Sequence, residues 1–225
     1  MEQAFTSWSG GKDCCLACYR ASSSGLQIRY LVNMMTDDGQ RSRSHGLATR
    51  WLQMQAEALG IPLVQRAAGN DDYEAQFKGV LRALKQDGIT AGVFGDIDFN
   101  AHREWVERVC ADAGIKPYLP LWQENQAALM REFIDSGFTA VVVAVKAALL
   151  GADWLGRTVD HAFLADLARL DNITPCGEAG EYHTLVVDGP IFNRRLDITG
   201  TGRVQQNGHW LLDIVNAELK SRHRG

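Results

Sequence analysis

The sequence predicts an α/β protein: a doubly wound parallel sheet of five strands, then a smaller C-terminal α+β subdomain. Three observations predict it. Short apolar runs alternate five times with longer segments of helical spacing, the pattern of parallel strands joined by crossover helices. The first strand-to-helix junction is a Gly10-Gly11 turn. Beyond Leu150 the alternation gives way to a glycine-rich loop and a hairpin signal, which places the expected boundary between residues 1–150 and 151–225.

Ala4 to Trp8 reads as a buried strand and Cys14 to Ala21 as the helix after it. Gln27 to Met35 is a second strand, and Leu47 to Leu59 a helix stopped by Gly60 with Pro62 beyond. Pro62 to Arg66 is a third strand, and Asn70-Asp71-Asp72 is expected to cap a helix reaching Gln86. Ile89 to Phe94 is a fourth strand, and Ala101 to Ala113 a helix whose Glu104 and Arg108 are spaced as a surface i,i+4 pair. Gly114 closes it, and Pro117, Pro120 and Leu121-Trp122 lead to a helix from Asn125 to Ser136. Thr139 to Val145, with four valines in seven residues, reads as the fifth strand of the sheet. In the C-terminal part, Thr158 or Asp160 caps a helix to Leu170, residues 172–184 form a loop, and Asn207-Gly208 marks a hairpin.

Composition narrows the function. At 225 residues the chain suits one catalytic unit, and a net charge of -4 argues against a protein that holds nucleic acid by its phosphates. Glu2, with no basic flank or apolar run after it, predicts no signal peptide, and the longest aliphatic stretch, Thr139 to Leu150, is too short for a membrane span. A cytoplasmic protein with no membrane partner is expected; a homodimer is compatible with the sequence. Five cysteines, three of them at Cys14, Cys15 and Cys18, fit neither a disulfide framework nor a metal-ligand spacing. They read as core or pocket-lining thiols, with a persulfide carrier as the lesser alternative.

Two stretches carry chemistry. In Ser9-Gly10-Gly11-Lys12-Asp13-Cys14 the glycines let the backbone approach an anion, the helix behind offers unpaired N–H groups, and Lys12 adds a mobile charge. Neither common nucleotide fingerprint fits: Thr6 and Asp13 break G-x-x-x-x-G-K-[ST], and G-x-G-x-x-G is absent. The second stretch, Cys176-Gly177-Glu178-Ala179-Gly180-Glu181-Tyr182-His183-Thr184, places two carboxylates and an imidazole within six positions. Such a set can bind a cation, orient an amine or move protons near neutral pH; a polar turn is the plainer reading. Polar loops at strand ends, where doubly wound sheets hold ligands, add Ser42, Arg43, Ser44 and His45 from the segment Thr36 to Gly46. They also add Gly95-Asp96-Ile97-Asp98, whose two acidic residues can orient Mg²⁺ or a substrate group.

The Ser9 to Cys14 loop resembles the S-G-G-K-D-S loop of the PP-loop ATP pyrophosphatases, of the adenine nucleotide alpha hydrolase-like (HUP) superfamily, with Cys14 in place of the last serine. Together with Asp37 to Gly46, Gly95-Asp96-Ile97, Arg103, Glu107, Cys110, Pro120-Leu121-Trp122, the Gly-Glu-x-Gly-Glu loop and Asp188-Gly189-Pro190, it resembles the diphthine-ammonia ligase family across nearly the whole chain. That resemblance implies an ATP-dependent ligase that adenylates a carboxylate, releases pyrophosphate and transfers ammonia to the acyl group, giving an amide and AMP. It implies ATP contacts from Ser9, Gly10, Gly11, Lys12, Asp13, Cys14, Ser42, Arg43, Ser44, His45, Gly95, Asp96 and Arg103, with Mg²⁺ on Asp13 or Asp96. Catalytic roles fall to Lys12, Glu178, Glu181 and His183. The partners implied are ammonium, free or supplied by another protein, and a carboxylate: diphthine on elongation factor 2, or a small corrinoid-related metabolite. Diphthamide-making members tend to carry an acidic residue where His183 stands, which leans toward the metabolite. Two further readings are a tRNA-thiolating enzyme, disfavoured by the acidic charge and the absence of a C-x-x-C pair, and a non-catalytic ATP or AMP sensor.

Overall fold

The computed structural model of the chain describes residues 1–222. It divides into two compact units. Met1–Ser9, Asp13–Glu57 and Ile61–Gln123 form the first; Gly10–Lys12, Ala58–Gly60 and the chain from Glu124 onward form the second.

In the first unit β1 (Gln3–Ser7) leads to α1 (Lys12–Ser23), β2 (Gln27–Met35), α2 (Thr49–Leu59), β3 (Leu63–Ala67), α3 (Tyr73–Gln86), β4 (Ala91–Val93), α4 (Asn100–Ala113) and β5 (Lys116–Tyr118). The sheet is parallel throughout, in the order β3-β2-β1-β4-β5. β1 lies in the middle, with Thr6 in register with Leu31 on one side and Val93 on the other. The chain first builds outward through β2 and β3, then returns to the far side of β1. The crevice outside the carboxyl ends of β1 and β4 is therefore the place such a sheet offers a ligand. A core of Phe5, Phe77, Phe94, Val106 and Val109 holds α3 and α4 to the sheet, with Phe5 meeting Phe94 edge-on at 5.7 Å.

The fifth parallel strand is not the expected one. Lys116–Tyr118 takes the outer position, and Thr139–Lys146 belongs to a different sheet. Pro117 hid the true strand, because a residue without an N–H fits only where a ladder is incomplete, and β5 is an edge. The i,i+4 pair expected on α4 also differs. Arg108 reaches Glu74 on α3, at 2.5 and 2.8 Å, and the intrahelical pair is Arg103 with Glu107 at 2.6 Å. Asp72 stands at the N-cap of α3 without capping it; its carboxylate accepts from the Gly69 amide at 2.7 Å.

The second unit continues with α5 (Gln126–Asp135), β6 (Thr139–Lys146), α6 (His161–Leu167), β7 (Tyr182–Asp188), β8 (Arg194–Gln206) and β9 (His209–Ser221). The four strands form an antiparallel sheet, β7-β6-β9-β8. β6 is interior and buried on both faces, so its valine run looked like a parallel strand although its partners run the other way. Lys146 closes a strand of this sheet, and the second unit takes up the chain from Glu124 onward. Asn125 and Asp160 cap α5 and α6 by accepting from the amides of Ala128 and Phe163. Asn207 and Gly208, at φ 50° and 77°, make the two-residue turn between β8 and β9.

Phe163 is fully buried and meets the rings of Trp154 and Tyr182 edge-on at 5.5 and 5.4 Å. Phe163→Ala is expected to destabilise the protein by about 3–5 kcal/mol through the cavity it leaves. Urea denaturation followed by circular dichroism measures this; an unchanged midpoint would contradict the packing.

Candidate active site

In the first unit the switch-point crevice is lined by Ser7, Trp8, Ser9, Asp13, Cys14, Val32, Asn33, Met34, Ser44, His45, Tyr73, Gly95 and Asp96. Its geometry rests on one close approach. A Cβ on Gly95 would lie 2.9 Å from the backbone carbon of Asp13 and 2.9 Å from the amide nitrogen of Cys14, nearer than any side chain is tolerated. Glycine thus lets the end of β4 sit against the first turn of α1. The expected residues Ser9, Asp13, Cys14, Ser44, His45, Gly95 and Asp96 meet in this crevice. Burial, with a smaller effect from the Asp13 charge, raises the Asp96 carboxyl above its ordinary range, while His102, 3.2 Å away, opposes the rise.

The other expected nucleotide contacts are placed differently. Ser42 is buried, and its hydroxyl accepts from Nδ2 of Asn33 at 3.1 Å. The same Nδ2 donates to the carbonyl of Trp8 at 2.8 Å, so one amide ties the end of β1 to the loop that carries Ser44 and His45. Arg43 donates to the carbonyl of Ala68 at 2.8 Å and to the Asn70 side chain, and lies over the Tyr73 ring at 5.3 Å. Arg103 pairs with Glu107 and lies over Trp122 at 5.2 Å. Neither arginine lines the crevice.

In the second unit Gly10–Lys12 packs on β7. The amide of Val186 donates to the carbonyl of Gly10 at 2.9 Å. The amide of Lys12, one that a helix start leaves without an intrahelical acceptor, donates to Oγ1 of Thr184 at 3.1 Å. Lys12 is 4% exposed; its ammonium donates to the carbonyl of Cys176 and lies 5.1 Å from the centre of the Tyr182 ring. Tyr182 donates to the carbonyl of Pro175 at 2.5 Å. Gly177, at φ 70°, could carry no side chain, since a Cβ would lie 2.8 Å from the Tyr182 carbonyl.

Glu181 is 2% exposed; its Oε1 accepts from the amide of Thr174 at 2.7 Å, and Oε2 has no partner among the described residues. A buried carboxylate oxygen in that state is a ready acceptor for a donor from outside the protein. Glu178 is held through its amide, which donates to Oγ1 of Thr174 at 2.9 Å. The stretch expected as loop through Thr184 is strand from Tyr182 on, so His183 stands on β7. Burial, then the charges of Lys12 and His209, push its imidazole down to about 4, against a smaller opposing pull from Glu181.

All five cysteines are buried and unbridged. Burial pushes the thiols of Cys18 and Cys110 up to about 12 and raises Cys15 strongly, so these sulfurs stay protonated and behave as core residues. Cys14 lines the crevice and accepts from the Ser9 hydroxyl at 3.4 Å. Among the described residues no three His, Cys, Asp or Glu side chains cluster as a metal site, and no helix is long and apolar enough to cross a membrane. Sequence reasoning missed Asn33, Tyr73 and Thr174, and named Thr184 only as the end of the second stretch without a role of its own. Asn33 alone carried a signal, as the one polar side chain in the apolar run Tyr30 to Met35.

Residues 2–117 match the family described as Diphthamide synthase N-terminal domain, and residues 125–220 match Diphthamide synthase C-terminal domain. Among curated proteins, the diphthine--ammonia ligase of Rattus norvegicus is 28% identical over 96% of this chain and 90% of its own. That of Danio rerio is 30% identical over 87% and 86%, and that of Homo sapiens 29% over 84% and 79%. A predicted subunit of tRNA methyltransferase from Methanocaldococcus jannaschii, a solved structure, covers 84% of this chain at 16% identity and a TM-score of 0.47, too distant to bear on function.

A histidine held down to about 4 has a definite effect on stability. The unfolded chain takes up this proton first, near pH 6.5, so the histidine's contribution is complete above that value and is lost as pH falls toward 4. His183→Gln is expected to flatten the loss of stability between pH 7 and 4. An NMR titration of the wild-type imidazole should have its midpoint near the value given; one at 6 to 7 would contradict the burial.

Proposed function

The chain belongs to the diphthamide synthase family, and from that premise we propose that it is an ATP-dependent ligase that joins ammonia to the carboxylate of diphthine. The observation that carries this reading is the meeting of two motifs far apart in sequence. Lys12 of the glycine turn and the Cys176–Thr184 stretch, 164 residues apart at the Lys12–Cys176 bond, are bound to each other in the second unit.

In the proposed reaction a carboxylate oxygen of the substrate attacks the α-phosphorus of ATP, pyrophosphate leaves, and ammonia then displaces AMP from the acyl-adenylate. The crevice of the first unit takes the nucleotide, with Ser9, Asp13, Cys14, Ser44, His45, Gly95 and Asp96 around it. The N–H groups of Gly10 and Gly11 and the charge of Lys12, in the second unit, are suited to stabilise a phosphate anion such as pyrophosphate. Two carboxylates in one crevice, with Asp96 raised partly by Asp13, fit a hard divalent cation. Asp13 and Asp96 would hold Mg²⁺, which neutralises phosphate charge when bound.

Glu178, Glu181 and His183 handle the acyl and ammonia side. The unpartnered Oε2 of Glu181 accepts a hydrogen from ammonium or ammonia, and a neutral imidazole beside it does not repel that cation. The metabolite alternative, toward which His183 leaned, has no support among the relatives described above, each of which is a diphthine--ammonia ligase.

Incubation with α-phosphate-labelled ATP, Mg²⁺, ammonium and diphthine-bearing elongation factor 2 tests the reading. AMP release that depends on both ammonium and the factor is expected, reduced about 10²–10⁴-fold by Glu181→Ala. Tight ATP binding without AMP would instead favour a sensor, and AMP driven only by a small-molecule fraction would favour the metabolite. Cys14→Ser, which exchanges a weak donor for a hydroxyl, is expected to tighten ATP binding about two- to tenfold by calorimetry.

A further inference from the structure

Tyr73 opens α3 and lines the same crevice as Ser9, Asp13 and Asp96. Its ring is held on several sides. Phe77 stacks on it with centroids 6.4 Å apart and planes 3° apart, Trp105 tilts against it at 5.7 Å, and the Arg43 guanidinium carbon lies 5.3 Å from its centre. Trp105 is itself fixed, its indole N–H donating to Glu74 at 3.1 Å. The aromatic body is therefore packed as a core residue is, in one orientation.

The hydroxyl is treated differently from the ring. Among the described residues nothing hydrogen-bonds to it, although a half-buried phenol ordinarily finds a partner. Burial raises its pKa, and the Asp96 carboxylate adds to the rise while Arg43 opposes it. The phenol thus stays protonated, a donor near enough to Asp96 to feel its charge. A donor on a fixed ring loses little conformational entropy when it meets its acceptor.

We propose that Tyr73 is a further nucleotide-binding residue, its hydroxyl donating to an acceptor oxygen of the ribose or the phosphates; this rests on the reading of the crevice as the ATP site. The ring packing anchors Arg43 and the loop it belongs to, and only the hydroxyl is given to the ligand.

Tyr73→Phe removes that hydroxyl and keeps every ring contact, so the melting temperature should be unchanged within a few degrees. Calorimetric affinities for ATP, AMP and adenosine are then compared with those of the wild-type protein. A loss of about tenfold or more for ATP and AMP, with adenosine unaffected, assigns the bond to phosphate. A loss of about two- to tenfold for all three assigns it to ribose. Equal affinities of wild type and variant for all three ligands would overturn the role of Tyr73 and leave the crevice an ATP site. Failure of the wild-type protein to bind any of the three would overturn the ATP reading itself.

Discussion

The approach of Gly95 to the backbone of Asp13 and Cys14 is the constraint on which the crevice depends. β4 and α1 can close to the distances observed only because nothing projects from Gly95. That approach sets Asp96 beside Asp13, and the result is visible in the electrostatics: a carboxyl raised first by burial and then by its acidic neighbour. The central position of β1 supplies the rest, since only at the middle strand do the connections leave in opposite directions and part.

In the second unit the corresponding role falls to hydrogen bonds. Gly10 and Lys12 exchange backbone and side-chain bonds with β7 and the Cys176 carbonyl, so the turn and the acidic stretch hold each other's geometry. The Lys12 charge is felt at His183 and helps keep that imidazole neutral. Glu181 is built in the opposite way: one oxygen is anchored to Thr174, and the other is buried with no partner among the described residues. A half-satisfied carboxylate costs stability, and such a cost is commonly retained where a ligand completes the set.

Asn33 and Tyr73 show how the two loops flanking the crevice of the first unit are kept in place by residues that are not themselves in a motif. Asn33 binds the end of β1 and Ser42 through one amide nitrogen. Tyr73 carries Arg43 on its ring, and Arg43 continues to Ala68 and Asn70. Two residues of the polar segment after β2 are thus spent on support, and Ser44 and His45 are left to line the crevice.

The sequence by itself determined the parallel sheet and its first four strands, the helix stops at Gly60 and Gly114, the Asn207-Gly208 turn, and the two stretches proposed to carry the chemistry. Each is a local signal: a period, a cap, a φ that glycine or asparagine tolerates, a spacing of polar groups. Tertiary structure decided what depends on partners. Pro117 sits in a strand because that strand is an edge, and the Thr139–Lys146 run is antiparallel because β7 and β9 flank it. Arg43 and Arg103, expected at the nucleotide, found acceptors and aromatic faces elsewhere, while Thr174 and Thr184, ordinary in sequence, became the acceptors that fix the loop. A side chain's type is written in the chain, but its partner is set by the fold that brings distant residues within hydrogen-bond reach.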